Sequence, residues 1–256
     1  MYSNQIENIY GSRKRLAWIK SIINKSQSII ELGCGTGYMI TMPRLKCGYD
    51  IVGIDVHEES IKHGRLLLKQ EELSVENLKC CKLADLDRKI DVIIASEVLE
   101  HHDLAGIESI LREVKLALKD GGIFLVTVPN GFGWYEFENY IWNKCNIAGV
   151  VERYKFHIRL AAIKEEYFGM DMDSNELSTL DTSPHLQSFT LRSVRKLLAT
   201  HGFEVVEATG TVLVSGPLSH IFFRGITPLL KLNCYLGGVF PSLASGFLLR
   251  CRMLEK

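Results

Sequence analysis

Three glycines at alternate positions, Gly33, Gly35 and Gly37, stand between the apolar run of residues 28–32 and a segment of helical character. Backbone passing that tightly from a strand into a helix needs conformations and close approaches that side chains obstruct. At the carboxyl end of a parallel strand, the same turn is where open α/β sheets bind ligands. The segment Glu31-Leu32-Gly33-Cys34-Gly35-Thr36-Gly37 therefore constrains both the fold and the position of a site. A dinucleotide site would need G-x-G-x-x-G, and position 38 is Tyr. A nicotinamide dehydrogenase is the least favoured reading.

The rest of the chain repeats the strand–helix alternation. Strands are expected at residues 28–32, at 50–54 with Asp55 at the end, and at 78–83, 90–95 and 122–128. Asp103 is a candidate N-cap for a helix whose apolar face is Leu104, Ile107, Ile110, Leu111, Val114 and Leu118, ended by Gly121. A second helix starts at Thr190, buries Leu191, Val194, Leu197 and Leu198, and stops at Gly202. Strand character returns at 203–206, 212–214 and 247–253. Alternation of this kind implies a parallel sheet with right-handed crossovers, a doubly wound α/β domain spanning residues 1–256.

Two segments break the pattern. Residues 130–184 are rich in aromatics, including Phe132, Trp134, Tyr135, Phe137, Tyr140 and Trp142, and are expected to form an insertion or lid. Residues 215–246 are expected to cap the domain. Within and beyond them, residues 232–249 carry no charge, which raises a membrane span. The Asn233, Gly237, Gly238, Pro241, Ser242, Ser245 and Gly246 in that stretch favour short broken helices packed on the domain, with peripheral membrane contact as the second reading.

Composition narrows the partners. Lysine plus arginine equal aspartate plus glutamate at 30 each, so no net field draws nucleic acid, and Arg13-Lys14-Arg15 is the densest basic run. The seven cysteines lack zinc spacing and a disulfide framework. With no signal-peptide run near Met1, the expected compartment is the cytoplasm with reduced thiols.

Two carboxylates extend the site. Asp55 can accept both hydroxyls of a ribose, and Asp85, followed by Leu86, can reach an adenine amine. Each alone is ordinary strand-end chemistry. Together with the glycine turn, and with Ser96-Glu97-Val98-Leu99-Glu100-His101, they resemble the class I S-adenosylmethionine-dependent methyltransferases. Within that class the chain is similar to the subgroup containing ubiquinone-pathway O-methyltransferases, which residues 185–190 and Gly202-Phe203-Glu204 also resemble. The resemblance implies a Rossmann-like seven-stranded sheet with its last strand antiparallel. It implies that Gly33, Cys34, Gly35 and Gly37 line the methionine part of S-adenosylmethionine, with Glu31 holding its ammonium. Asp55 and Val56 would hold the ribose, Asp85 and Leu86 would flank adenine, and Ala95 would close the pocket.

Transfer to a hydroxyl requires loss of a proton, to a base or to a metal. If the stretch after residue 95 is helical, Glu97, Glu100 and His101 share a face and could hold magnesium or zinc, with His185 as a fourth ligand. Alternatively His101 or His185 is a metal-free base, or these residues only cap a helix and wall the pocket. The leading expectation is O-methylation of a small or lipid- or sugar-linked hydroxyl compound. An RNA 3′-end 2′-O-methyltransferase and a non-catalytic cofactor-binding partner subunit are the alternatives.

Overall fold

The computed structural model describes residues 9–155, 186–223 and 226–254. Seven strands, β1 (Ser28–Leu32), β2 (Asp50–Asp55), β3 (Leu78–Cys80), β4 (Ile90–Ser96), β5 (Leu118–Pro129), β6 (Phe203–Gly210) and β7 (Gly246–Met253), form one sheet in the order β3-β2-β1-β4-β5-β7-β6. β1 to β5 pair in parallel, and β7 runs antiparallel to both β5 and β6. The expected mixed seven-stranded sheet with an antiparallel final strand is present.

Alternation along the strands builds a core on each face of the sheet. Ile29, Ile51, Val92, Ile94 and Leu125 point to one side and pack with Ile19 of α1 (Ile9–Ile22). Ile30, Ile54, Ile93, Phe124 and Val126 point to the other. They meet Ile107, Leu111 and Val114 of α4 (Leu104–Ala117) and Val194 and Leu198 of α7 (Leu191–Thr200). α2 (Thr41–Lys46) and α3 (Glu58–Gln70) complete the layer beside β2 and β3. Both expected caps are made: Asp103 accepts from the Gly106 amide at 2.8 Å, and Thr190 from the Ser193 amide at 3.0 Å.

Three expected boundaries shift. Leu118 leaves α4 and opens β5, because it pairs with Ile90, so Gly121 lies inside the strand and does not end the helix. The third strand stops at Cys80, since the Cys81 amide turns to donate to the Asp55 carbonyl at 3.1 Å and a 3-10 turn follows at Leu83–Asp85. Residues 212–214 are not a strand: Val214 pairs instead with the side-chain amide of Asn233, which accepts from its N–H at 2.9 Å and donates to its carbonyl at 2.7 Å.

Beyond β5 come α5 (Trp134–Lys144) and α6 (Ile147–Arg153), and between β6 and β7 come α8 (Pro217–Phe223), α9 (Thr227–Val239) and a 3-10 turn at Pro241–Leu243. Among the described residues, no helix is long and apolar enough to cross a membrane. Residues 156–185, which include the greater part of the expected insertion, lie outside them.

Candidate functional site

β1 ends in Leu32, and the chain then makes a turn in which Gly33, Gly35 and Gly37 have φ of 66°, 55° and 71°. All three are left-handed, the conformation that side chains disfavour. At Gly33 a β-carbon would stand 2.7 Å from Val98 Cγ2, so the turn also lies close against the segment after β4. The backbone is held by its own bonds: Cys34 N–H donates to Ile54 O at 3.1 Å and Gly37 N–H to Cys34 O at 2.8 Å.

Asp55, at the end of β2, fastens this turn to its neighbour. Its Oδ2 accepts from the Gly35 amide at 2.7 Å and its Oδ1 from the His57 amide at 2.8 Å. A carboxylate has about four acceptor positions, so two remain for a ligand. Val56 beside it is 67% exposed, whereas Ala95 is fully buried. Cys34 is buried, which pushes its thiol well above the usual range and leaves it a small apolar side chain.

Glu31 is buried beneath the turn and accepts from the Thr41 amide at 2.8 Å and the Thr41 hydroxyl at 2.5 Å. Burial pushes its carboxyl up to about 7, against the opposing pull of the Thr41 bonds and of Arg15. One of its oxygens thus anchors the start of α2. Asp85 sits in its 3-10 turn, where Oδ2 accepts from the Lys82 amide at 2.8 Å. With Leu86 it lines a cleft of about 360 Å³ whose other walls include Val52, Glu76, Lys79 and Arg88. Gly33, Gly35, Gly37 and Asp55 are not among those walls.

The shared helical face expected of Glu97, Glu100 and His101 does not form. Glu97 has φ of 56°, so it cannot belong to a right-handed helix, and the 3-10 turn begins only at Leu99. Glu97 Oε1 lies 3.2 Å from Arg15 Nη1 and accepts from the Thr127 hydroxyl at 2.9 Å. Glu100 is fully buried, and His101 Nε2 is 4.0 Å from Glu100 Oε1. Among the described residues no group of three or more His, Cys, Asp or Glu could hold a metal ion. His185 lies outside the described residues; the amides of Leu186 and Gln187 donate to Glu100 O at 2.7 and 3.1 Å.

Several residues at this edge were not singled out from the sequence. Arg15 is buried on α1 one turn before Ile19 and two before Ile23, a spacing that places it on the inner helix face. Thr127 of β5 links Glu97 to Ser96, whose hydroxyls are 3.0 Å apart. Buried Asn130 donates to Ser242 O at 3.2 Å and Ala244 O at 2.8 Å, and buried Glu138 of α5 accepts from the Ser219 amide at 2.8 Å and from Trp134 Nε1 at 2.5 Å. No local pattern announces such long-range polar pairs.

A family model described as a methyltransferase domain matches residues 6–208, most of the chain. The chain belongs to this family. Its domain is a class I S-adenosylmethionine-dependent methyltransferase domain. Among curated proteins it is similar to a ubiquinone biosynthesis O-methyltransferase of Nitrobacter winogradskyi, 28% identical over 111 residues, 43% of this chain and 41% of that protein. It is also similar to a sphingolipid C9-methyltransferase of Candida albicans, 23% identical over 145 residues, 54% of this chain and 28% of that one. The matches thus span about two fifths or less of the length of these two relatives. In fold, an S-adenosylmethionine-dependent methyltransferase from Clostridium acetobutylicum matches with a TM-score of 0.55 at 10% identity, covering 97% of this chain and 94% of that one. A magnesium protoporphyrin IX methyltransferase from Synechocystis, with S-adenosylhomocysteine bound, matches at 0.55 and 14% identity over 95% and 82%.

Proposed function

We propose that this methyltransferase domain transfers the methyl of S-adenosylmethionine to a hydroxyl on a small or lipid- or sugar-linked acceptor. The observation that carries the reading is the turn itself: three left-handed glycines at the carboxyl edge, with the Gly35 amide fixed by Asp55 at 2.7 Å. That cradle is the right shape for the methionine and ribose of the cofactor, since backbone is open to approach and Asp55 keeps acceptor capacity for two hydroxyls. When bound, S-adenosylmethionine supplies a methyl already activated by its sulfonium.

The chain's residues then have distinct tasks. Gly33, Cys34, Gly35 and Gly37 receive the methionine end, Glu31 its ammonium through water, Asp55 and Val56 the ribose, and Asp85 and Leu86 the adenine. Alignment of the acceptor for in-line attack carries much of the rate. His101 or His185 takes the hydroxyl proton. Residues 130–184 act as a lid over the acceptor, and 215–246 as the cap that supports it. The described part of the insertion supports this reading, because α5 follows the end of β5 at the carboxyl edge of the sheet and is pinned to α8 through Glu138.

Methyl transfer from isotopically labelled S-adenosylmethionine to a fractionated lipid extract, followed by mass spectrometry of the product, tests the reading. The expected product is a methyl ether. Label on carbon, as in the sphingolipid C9-methyltransferase it resembles, or on nitrogen or RNA, would overturn the hydroxyl acceptor.

A further inference from the structure

β4 and β5 end side by side, and the polar side chains that join them fix the direction of their own hydrogen bonds. A carboxylate only accepts, so the Thr127 hydroxyl spends its one proton on Glu97 Oε1 at 2.9 Å. Ser96 Oγ, 3.0 Å from Thr127, therefore donates to it and keeps only lone pairs for anything else. Arg15 holds the same Glu97 Oε1 from 3.2 Å, while Oε2 accepts no hydrogen bond among the described residues. Thr127 is fully buried, whereas Ser96 and Glu97 are half-buried, Glu97 with 20% of its side chain exposed. Two acceptor atoms thus stand together at the sheet edge, and no described residue donates to either.

The backbone holds them in place as well. Glu97 is left-handed at a φ of 56°, and its amide donates to Thr127 O at 3.0 Å. A residue other than glycine keeps that conformation only where its surroundings impose it, and such strain gathers at functional sites. Val98, the next residue, is the one that a β-carbon on Gly33 would strike at 2.7 Å. The two acceptors therefore lie one residue from contact with the glycine turn. Beyond Thr127 the same strand runs out at Pro129 into Phe132 and Trp134, 75% and 44% exposed. The Trp134 ring centroid lies 5.3 Å from that of Phe137.

We infer that Glu97 Oε2 and Ser96 Oγ receive a second hydroxyl of the acceptor, next to the one that is methylated, and that the acceptor is a sugar. The inference deepens the proposed function, on which it rests for the cofactor and for transfer to a hydroxyl. A long-chain alcohol has one hydroxyl and spends it in the reaction. Bound here, it would strip water from two acceptors without replacing the lost hydrogen bonds. A site built to bind a hydroxyl rejects an analogue that lacks it. A pyranose carries neighbouring hydroxyls along its edge and a flat C–H face, and aromatic side chains at the strand end suit that face.

Saturation-transfer NMR of the full chain with S-adenosylhomocysteine present tests it. The probes are the octyl glycosides of glucose, galactose, mannose and rhamnose, with 1-octanol as the alcohol control. The wild type should bind at least one glycoside in preference to octanol. In Glu97→Gln, Arg15 and Thr127 keep the amide oxygen, so an NH2 donor stands where Oε2 accepted. That variant should bind the glycoside about tenfold or more weakly. Ser96→Ala, which leaves the pair with Arg15 in place, should weaken it about threefold, and it carries the test if Glu97→Gln does not fold by thermal melting. S-adenosylhomocysteine affinity by calorimetry should match wild type in both variants. A folded Glu97→Gln protein that has lost that affinity would give the carboxylate to the cofactor and overturn the inference. So would a wild type that binds no glycoside or binds octanol equally well, or folded variants that bind the glycoside as wild type does. A bound glycoside that receives no methyl on oxygen from S-adenosylmethionine defeats the hydroxyl-transfer reading and leaves the sugar subsite standing.

Discussion

The cofactor turn and the cap meet at the same sheet edge and are built in opposite ways. The turn is a backbone device. Gly33, Gly35 and Gly37 take conformations suited to glycine, and the few polar side chains beneath it, Asp55 and Glu31, bond to amides within about one strand of themselves. The cap depends on side chains that reach across the chain: Glu138 to Ser219, Asn130 to Ala244, Lys14 to Cys234. A ligand-binding turn assembled from near neighbours tolerates change elsewhere, whereas a cap held by distant buried polar pairs is sensitive to any one of them.

The largest effect should come from breaking the cap. Glu138→Ala leaves the buried amide and hydroxyl of Ser219, and Nε1 of the partly exposed Trp134, without their acceptor. We expect a loss of about 3–4 kcal/mol in denaturant stability, with S-adenosylhomocysteine affinity close to wild type. Equal losses of stability and affinity would mean that turn and cap are one unit.

The converse change belongs to the turn. Gly33→Ala places a methyl 2.7 Å from Val98 Cγ2 at a φ of 66°. Left-handed strain and overpacking together come to about 2–3 kcal/mol. Cofactor affinity should fall roughly a hundredfold by calorimetry, while the near-ultraviolet circular dichroism of the cap aromatics stays unchanged. A variant that binds normally would show that the turn is not in contact with the ligand.

Smaller, and visible only as a pH dependence, is the effect of Glu31. Its carboxyl is raised from 4.5 to about 7 in the folded chain, mainly by burial. Between those values the native state binds more protons than the unfolded state, so stability falls as pH rises through the window and levels off above it. Glu31→Gln removes this dependence, making the variant the more stable partner at pH 8 by about 1–3 kcal/mol. Parallel stability–pH curves for the two proteins would contradict the assignment.

What could be read in advance follows the same division. The limits of β1 and β2, the caps at Asp103 and Thr190 and the order of glycine turn, Asp55 and Asp85 were legible because each is set by local periodicity or by a residue's own backbone preference. The errors lie where a distant partner decides. Leu118 has helical spacing but is claimed by Ile90 across the sheet, and Val214 has strand character but is claimed by Asn233. Glu97 was expected in a helix with His101. Its left-handed backbone comes with a bond from its amide to Thr127 O at 3.0 Å and with Arg15 from α1, neither of which leaves a mark on neighbouring residues.

The central claim is that the glycine turn and Asp55 hold S-adenosylmethionine, and one calorimetric titration addresses it. Wild type and Asp55→Ala are titrated with S-adenosylhomocysteine under identical conditions, with thermal melting to confirm that the variant is folded. The wild type should bind one equivalent. The variant loses the carboxylate that fixes the Gly35 amide at 2.7 Å and that would accept the ribose hydroxyls, so its affinity should drop by about 2–4 kcal/mol, roughly thirtyfold to a thousandfold. Equal affinity in a folded Asp55→Ala protein, or no binding by the wild type, would contradict the account.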